Sequence, residues 1–198
     1  MAKILVLYHS RLGSVEKLAT LIARGINSVE GAEAVLRTVP NISANTEISE
    51  RAVPESGAPY ASLDDLKKCD GLVLGSPTRF GNMSAEMKFF LDSTSSLWMS
   101  GELQGKPAAV FSSSSSMHGG QESTLLSMMN PLLHHGMLIA GIPYSEPSLS
   151  KTNTGGTPYG ATHVAGSNNQ NPISDDEKKL SIALGKRIAE FAQRLAQA

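Results

Sequence analysis

Short apolar runs bounded by turn residues recur along the chain at residues 4–8, 71–74 and 108–111. Unbroken apolar runs of this length are typical of strands buried on both faces, as in a parallel sheet. Residues 34–39 form a shorter strand pattern, and because proline follows at once, we expect this strand near a sheet edge. Residues 137–142 predict a fifth strand.

Between these strands, apolar residues recur at helical spacing. The helix after the first strand presents one apolar face, formed by Val15, Leu18, Ala19, Ile22 and Ile26. Ser84 is the expected N-cap of a later helix, and residues 121–135 predict another that ends at Gly136. Pro131 lies inside this segment and predicts a kink or a division into two shorter helices. Residues 174–177 form a capping-box pattern that opens the last helix.

The alternation of strands and helices predicts an α/β fold with a doubly wound, five-stranded parallel sheet and helices on both faces. A length of 198 residues fits a single domain, residues 1–198. Two polar stretches, at about 41–62 and 143–172, do not fit the alternation, and we interpret them as insertions. Long loops of this kind are usually functional or disordered, and both follow strand ends where a ligand would bind.

Composition narrows the functional classes. The net charge of -1 and the lack of a Lys/Arg cluster disfavour nucleic acid as a partner. Cys69 is the only cysteine, and the five histidines lack ligand spacing, so we expect no disulfide and no metal site. No signal-peptide pattern opens the chain, and no run approaches the ~18 apolar residues of a membrane span. A cytoplasmic protein is expected.

The turns after the first, third and fourth predicted strands contain the candidate chemistry, because ligands of doubly wound sheets bind at the carboxyl ends of the strands. Residues 10–15 lead directly into a helix, so backbone amides and hydroxyls can bind a phosphate. The turn lacks both the Gly-x-Gly-x-x-Gly pattern and the Lys-Ser/Thr pair of nucleotide loops, which favours a monophosphate. An ordinary helix cap is the alternative.

The other two turns suit a flat ring with a polyol chain. Residues 75–83 combine one proline and two glycines with Arg79 and Phe80, and residues 112–120 form a serine run with Met117 and His118. A connecting loop and a flexible linker are the respective alternatives. Three such turns at neighbouring strand ends are more specific than any one of them.

The most specific stretches are Gly-Ser-Pro-Thr-Arg-Phe-Gly-Asn-Met at 75–83, Leu97-Trp98, His134-His135-Gly136, and Gly-Gly-Thr-Pro-Tyr-Gly-Ala at 155–161. With them, the chain resembles the WrbA family of flavodoxin-like NAD(P)H:quinone oxidoreductases over essentially its whole length. The resemblance implies strand order 2-1-3-4-5, bound FMN, and two-electron transfer from NADH or NADPH to quinones. It also implies a homotetramer whose active sites draw residues from neighbouring subunits, and a role in oxidative stress.

The resemblance also implies site residues. The FMN phosphate would be bound by Ser10, Arg11, Leu12, Gly13, Ser14 and Val15. The isoalloxazine ring would contact Pro77, Thr78, Arg79, Phe80 and Gly81. The ribityl chain and the ring edge would contact Ser113, Ser114, Ser115, Ser116, Met117, His118 and Gly119. His134 would face the flavin and assist catalysis, Trp98 would wall the quinone pocket, and Leu12 would lie where the nicotinamide approaches. The serine loop departs from the family's glycine- and threonine-rich pattern, which leaves its individual contacts open.

Several alternatives remain at this stage. A favourable interaction with the helix dipole could alone explain a histidine at position 134. Trp98 could belong to a small satellite hydrophobic cluster instead of a substrate pocket. One pocket for both substrates predicts ping-pong kinetics. An electron-carrier flavodoxin is the rival, disfavoured because carriers typically hold a large negative charge. An FMN-binding regulatory protein is a third possibility, and the sequence does not separate NADH from NADPH.

Overall fold

Six strands form one parallel sheet within residues 1–43, 54 and 57–196, the part of the chain that this computed structural model describes. The strands are β1 (Ala2–Tyr8), β2 (Ala32–Thr38), β3 (Gly71–Pro77), β4 (Pro107–Ser114), β5 (Leu138–Ile139) and β6 (Ala161–Val164). The main path runs β2-β1-β3-β4-β5, and β6 pairs with β4. The predicted doubly wound sheet and its order are confirmed, with β2 at the edge as expected.

Helices cover both faces of the sheet. They are α1 (Ser14–Asn27), α2 (Leu63–Lys68), α3 (Ala85–Asp92), α4 (Ser95–Met99), α5 (Gln121–His134) and α6 (Asp175–Ala196). Alternate residues of β1 point to opposite sides: Ile4 and Val6 join the core under α1 and α6, whereas Leu5 and Leu7 join the core under α2 to α5. Each fully buried aliphatic side chain contributes about 1.5–3 kcal/mol, so the two cores hold the strand ends in place.

The fifth position of the sheet is shared by two short strands, which corrects the prediction of one strand over 137–142. β5 pairs only with Pro107 and Ala108 at the start of β4, and β6 pairs with residues 111–114 at its end. The chain leaves the sheet because Ile142 N–H donates to the Pro158 carbonyl (2.9 Å) instead of to β4. The predicted insertion at 143–172 therefore contains β6 and a short 3-10 helix, Pro147–Ser150.

The predicted helix ends are confirmed, with one correction. Ser84 accepts from the Met87 N–H as an N-cap, and Ser174 and Glu177 form the reciprocal capping box of α6. Of the two outcomes predicted at Pro131, the division into two helices is wrong, because α5 is one continuous helix. Pro131 cannot donate a helical hydrogen bond, but the helix continues past it, with the His135 N–H donating to the Pro131 carbonyl (3.1 Å).

The remaining predictions concern the insertion at 41–62 and the lack of a membrane span. The predicted insertion at 41–62 lies largely outside the described residues. Among the helices that the structure describes, none combines the length and apolar character needed to cross a membrane.

Candidate functional site

The carboxyl ends of β1, β3 and β4 meet around one cavity of about 190 Å³. Its walls are Ser10, Arg11, Leu12, Ser14, Val15, Pro77, Thr78, Arg79, Ser113, Ser114, Ser115, Ala165, Gly166, Ser167 and Asn169. The structure thus brings together the three turns that the sequence singled out. It adds a fourth wall, residues 165–169, which follows β6.

The turn at 10–15 is shaped by Gly13, whose φ of 84° places it in the left-handed region just before α1. A Cβ there would meet nothing within 4 Å, so glycine is favoured by backbone conformation and not by crowding. Ser10 Oγ accepts from the Glu16 N–H (3.3 Å) and holds the turn against the helix. The N–H groups of Ser14 and Val15 belong to the first turn of α1, where donors have no carbonyl partner inside a helix. These two N–H groups can therefore donate hydrogen bonds to a bound anion.

Asn169 ties this turn to the fourth wall, and sequence reasoning missed it. Its Nδ2 donates to the Leu12 carbonyl (2.6 Å), and its Oδ1 accepts from Ser14 Oγ. These contacts link residues 157 and 155 positions apart, and no local pattern signals them. The sole hint was the placement of the 143–172 stretch after a strand end.

Residues 79–82 form a tight hairpin at the end of β3. Arg79 and Asn82 exchange two backbone hydrogen bonds of 2.8 and 3.0 Å, and Phe80 and Gly81 at the tip have φ of 52° and 74°. Two consecutive positive φ values are typical of a type I′ turn, which rarely has a phenylalanine in its first position. The Phe80 side chain is fully exposed. A strained, exposed aromatic beside a cavity indicates a binding role.

The hairpin rests on the start of α5. A Cβ on Gly120 would lie 2.8 Å from the Gly81 Cα, so only glycine allows this approach. Behind the hairpin, Thr124 Oγ1 donates to Thr78 Oγ1 (3.2 Å), and the Thr78 N–H donates to the Ser113 carbonyl (2.9 Å). These bonds fix the wall formed by residues 77–79.

The serine run divides into two parts. Ser113 and Ser114 are buried residues of β4, and Gln121 Nε2 donates to Ser114 Oγ (2.9 Å). Met117 and His118 are not part of the lining of the first cavity, and they line a second one of about 490 Å³ together with the start of α5, Thr154, Gly156 and Thr157. The structure therefore separates Met117 and His118 from Ser113–Ser115.

The chemistry of the first cavity fits a phosphorylated ligand. Two arginines, a threonine and several serine hydroxyls line it beside a helix N-terminus, and within residues 1–43, 54 and 57–196 no carboxylate belongs to its lining. A phosphate is attracted both by the helix dipole and by the guanidinium groups. The donor set therefore fits the phosphate and the ribityl hydroxyls of FMN.

His134 and Trp98 lie elsewhere. Gln121 contacts Ser114 at the first residue of the 14-residue helix α5, and His134 is its last residue, about 20 Å away at 1.5 Å per residue. Trp98 in α4 belongs to that far end as well, because Thr94 contacts His135 (2.9 Å). Neither residue reaches the cavity of its own chain.

His9, next to the phosphate turn, was not predicted to belong to the site. The buried ring contacts Ser84 Oγ through Nδ1 (2.9 Å) and Asn41 Oδ1 through Nε2 (3.2 Å). Since Ser84 caps α3, the ring connects the end of β1 to the helix that follows the hairpin.

Cys69 is a structural residue. Burial raises the pKa of the Cys69 thiol to about 11, so this thiol remains unreactive.

The family model described as NADPH-dependent FMN reductase matches residues 2–145 of the chain. A protein of Syntrophobacter fumaroxidans named NAD(P)H dehydrogenase (quinone) is 43% identical, with 98% of this chain and 99% of the relative covered. A protein of the same name from Geotalea daltonii is 41% identical, with 99% of each chain covered.

Solved structures agree on the fold. A flavodoxin, WrbA-like protein from Agrobacterium tumefaciens superposes with a TM-score of 0.67 at 24% identity, covering 98% of this chain and 99% of that chain. Flavodoxin 1 from Bacillus cereus superposes with a TM-score of 0.61 at 18% identity, covering 96% and 98%. Both are similar to this chain in architecture.

Proposed function

Because this chain belongs to the family of NADPH-dependent FMN reductases, we propose that it is an FMN-dependent NAD(P)H dehydrogenase (quinone) with a ping-pong mechanism. The resemblance to WrbA proteins is confirmed by the family match and by the two relatives that align over nearly the whole chain. The enzyme moves two electrons from NADH or NADPH to a quinone. Bound FMN supplies the electron-transfer chemistry, and the protein supplies binding and orientation.

One observation carries this proposal: the three predicted turns converge on a cavity that has phosphate-binding chemistry and, among the residues that the structure describes, no carboxylate in its lining. Ser10 Oγ, which keeps its hydrogen, and the first-turn amides of α1, including that of Ser14, would bind the FMN phosphate. The hydroxyls of Ser113 to Ser115 face the ribityl chain. The hairpin that begins at Thr78 supports the ring, with Phe80 at its exposed tip.

A single opening explains the expected kinetics. Leu12 lines the cavity and is 67% exposed, and Phe80 projects fully into solvent. Exposed apolar side chains at a cavity rim favour a flat, apolar ligand, which describes both a nicotinamide ring and a quinone. If the two substrates use one place in turn, the first product leaves before the second substrate binds.

A homotetramer explains the positions of His134 and Trp98. His134 lies about 20 Å along α5 from Gln121, which contacts the cavity wall at Ser114. Trp98 lies near the same far end of α5, where Trp98, Met99 and Leu133 are all exposed. In a neighbouring copy these side chains could cover the open rim near Leu12. We propose that His134 and Trp98 complete the site of another subunit in this way. A reducing cytoplasm, which we propose as the location, agrees with the free thiol of Cys69.

The proposal is tested by adding FMN to the purified full-length protein and recording the visible spectrum before and after NADH and then benzoquinone. Flavin absorbance should be retained after gel filtration, bleach with NADH and return with benzoquinone. Initial rates should give parallel double-reciprocal lines. Failure to retain FMN, or clearly intersecting lines, would contradict the binding site or the ping-pong order respectively.

A further inference from the structure

The helix that carries Trp98 depends on its anchors. α4 has five residues, and Leu97 is its buried residue. A helix this short is not stable on its own in water. The orientation of Trp98 is therefore set by the tertiary contacts at the ends of α4.

Thr94 provides the contact at the beginning of α4. Its carbonyl accepts from the N–H groups of Leu97 (3.0 Å) and Trp98 (3.1 Å). Its buried Oγ1 donates to the Leu91 carbonyl at the end of α3 (2.7 Å). A hydroxyl has one hydrogen, so Oγ1 acts as the acceptor in its second contact, with His135 Nε2 at 2.9 Å.

His135 directly follows His134 at the end of α5 and is itself buried. Donation to Thr94 places the ring proton on Nε2 and leaves Nδ1 as a bare acceptor. Nδ1 is buried without a hydrogen-bond partner in the described part of the chain. Burial, and then the neighbouring His134, lower the pKa of His135, which agrees with a neutral ring.

An apolar residue of similar size would fill this space without leaving a buried nitrogen unpaired. The histidine instead supplies a directional bond to the residue from which α4 begins. Trp98 is one backbone hydrogen bond from Thr94, and His134 is one residue from His135. The Thr94–His135 bond thus connects the two side chains that are proposed to enter the neighbouring subunit's site.

We propose that His135 is a positioning residue, which fixes Trp98 relative to His134 through its hydrogen bond to Thr94. This inference rests on the proposed function, in which those two side chains complete a neighbouring subunit's quinone site. His135 itself touches neither FMN nor quinone. Its effect reaches the reaction only through the placement of α4.

The test uses two variants that remove the bond, Thr94→Val and His135→Leu, and two that retain it, Thr94→Ser and His135→Gln. Trp98 is the only tryptophan, so its fluorescence in the full-length protein before FMN addition reports directly on α4. The removing variants should shift this emission and, once loaded with FMN, raise the quinone KM about tenfold, because small misplacements weaken binding. Their FMN affinity should not change. The retaining variants should match the wild-type protein.

Wild-type emission and quinone KM in both removing variants would overturn the proposal. So would equal effects in the retaining and removing variants, or removing variants that fail to fold while the retaining ones fold, since either indicates a purely structural role. A wild-type protein that does not reduce quinones would contradict the proposed function instead. The emission comparison needs neither FMN nor quinone, so the two failures are distinguishable.

Discussion

Phe80 combines an unfavourable backbone conformation with an exposed aromatic ring. A non-glycine residue in the left-handed region costs of order 1–3 kcal/mol, and type I′ turns favour asparagine at this position. No buried contact compensates, because the side chain is fully exposed. The residue is therefore better explained by ligand binding than by stability.

Replacement of Phe80 should separate these two properties. Phe80→Asn is expected to raise the free energy of unfolding by about 1 kcal/mol, because strain is relieved, and to lower kcat/KM for quinones. Urea denaturation and steady-state kinetics measure the two effects. Phe80→Tyr, which keeps the ring, is the control and should retain activity. An asparagine variant with lower stability and full activity would contradict the assignment.

Glu177 is the most heavily hydrogen-bonded carboxylate of the described residues. It is buried and accepts from Gly155 N–H (2.8 Å) and Ser174 N–H (2.8 Å), and its Oε2 lies 3.0 Å from His163 Nδ1. Burial raises its pKa, but the hydrogen bonds from His163 and the backbone outweigh burial, so the pKa lies below the ordinary value. The ionised carboxylate joins α6 to the loop that precedes β6.

The sign of the pH dependence follows from this lowered pKa. The stabilisation is present above the unfolded pKa of about 4.3 and is lost as pH falls through the lower, folded pKa. The Tm of the wild-type protein should therefore fall as the pH drops below about 4.3. Glu177→Gln should have a lower Tm at pH 7 and a smaller change across the acid range. A parallel decline in both proteins would show that other carboxylates dominate.

At the scale of elements, the contact between the 79–82 hairpin and α5 depends on Gly120. An added Cβ would be 2.8 Å from the Gly81 Cα. Gly105 offers a matched control, because its φ is also positive (74°) and a Cβ there would meet nothing within 4 Å. Both substitutions carry the same kind of backbone strain, and only one displaces the hairpin.

Gly120→Ala should therefore weaken FMN binding about tenfold, a loss of ~1.4 kcal/mol. Gly105→Ala should lower the free energy of unfolding by about 1–2 kcal/mol and leave FMN affinity unchanged. Flavin fluorescence titration measures the affinity. Equal affinities in the two variants would show that the hairpin does not support the ring.

The predictable part of the fold followed from local patterns. Buried runs such as residues 4–8 and 71–74 specify strands, and helix caps such as Ser84 rest on contacts within three residues. The split between β5 and β6 did not follow, because the strand-like stretch 140–142 leaves β4 after Ala140, and the Ile142 N–H donates to the distant Pro158 carbonyl. The role of Asn169 was not predicted for the same reason, because its hydrogen-bond partners are distant in the sequence. Sequence patterns located three walls of the cavity, and the fourth needed three-dimensional information.

At the scale of the whole molecule, two groups of exposed apolar side chains lie far apart, among others that are scattered over the surface. Leu12 and Phe80 are at the carboxyl ends of the strands, whereas Trp98, Met99 and Leu133 are at the far end of α5. Two unlike patches on one chain suit head-to-tail contacts in a closed oligomer. Trp98 and His134, which stay predicted site residues, can act on FMN only in such an assembly.

Subunit mixing tests this arrangement. Ser14→Asp should abolish FMN binding by placing a carboxylate at the phosphate position, and His134→Ala combined with Trp98→Ala should remove the groups supplied to the neighbour. Each protein alone should have low quinone reductase activity. Mixed oligomers, formed by co-refolding and verified by mass, should regain part of it, because some sites then contain both intact halves. Mixed oligomers without recovery would contradict shared sites.

The bond between Asn169 and the turn at Leu12 and Ser14 also bears on biosynthesis. The first strand and its phosphate turn leave the ribosome early, but the residue that fastens them is more than 150 positions later. A nascent chain can form most of its sheet before Asn169 makes its hydrogen bonds to the turn at Leu12 and Ser14. We therefore expect FMN to be bound only after residue 169 has left the ribosome.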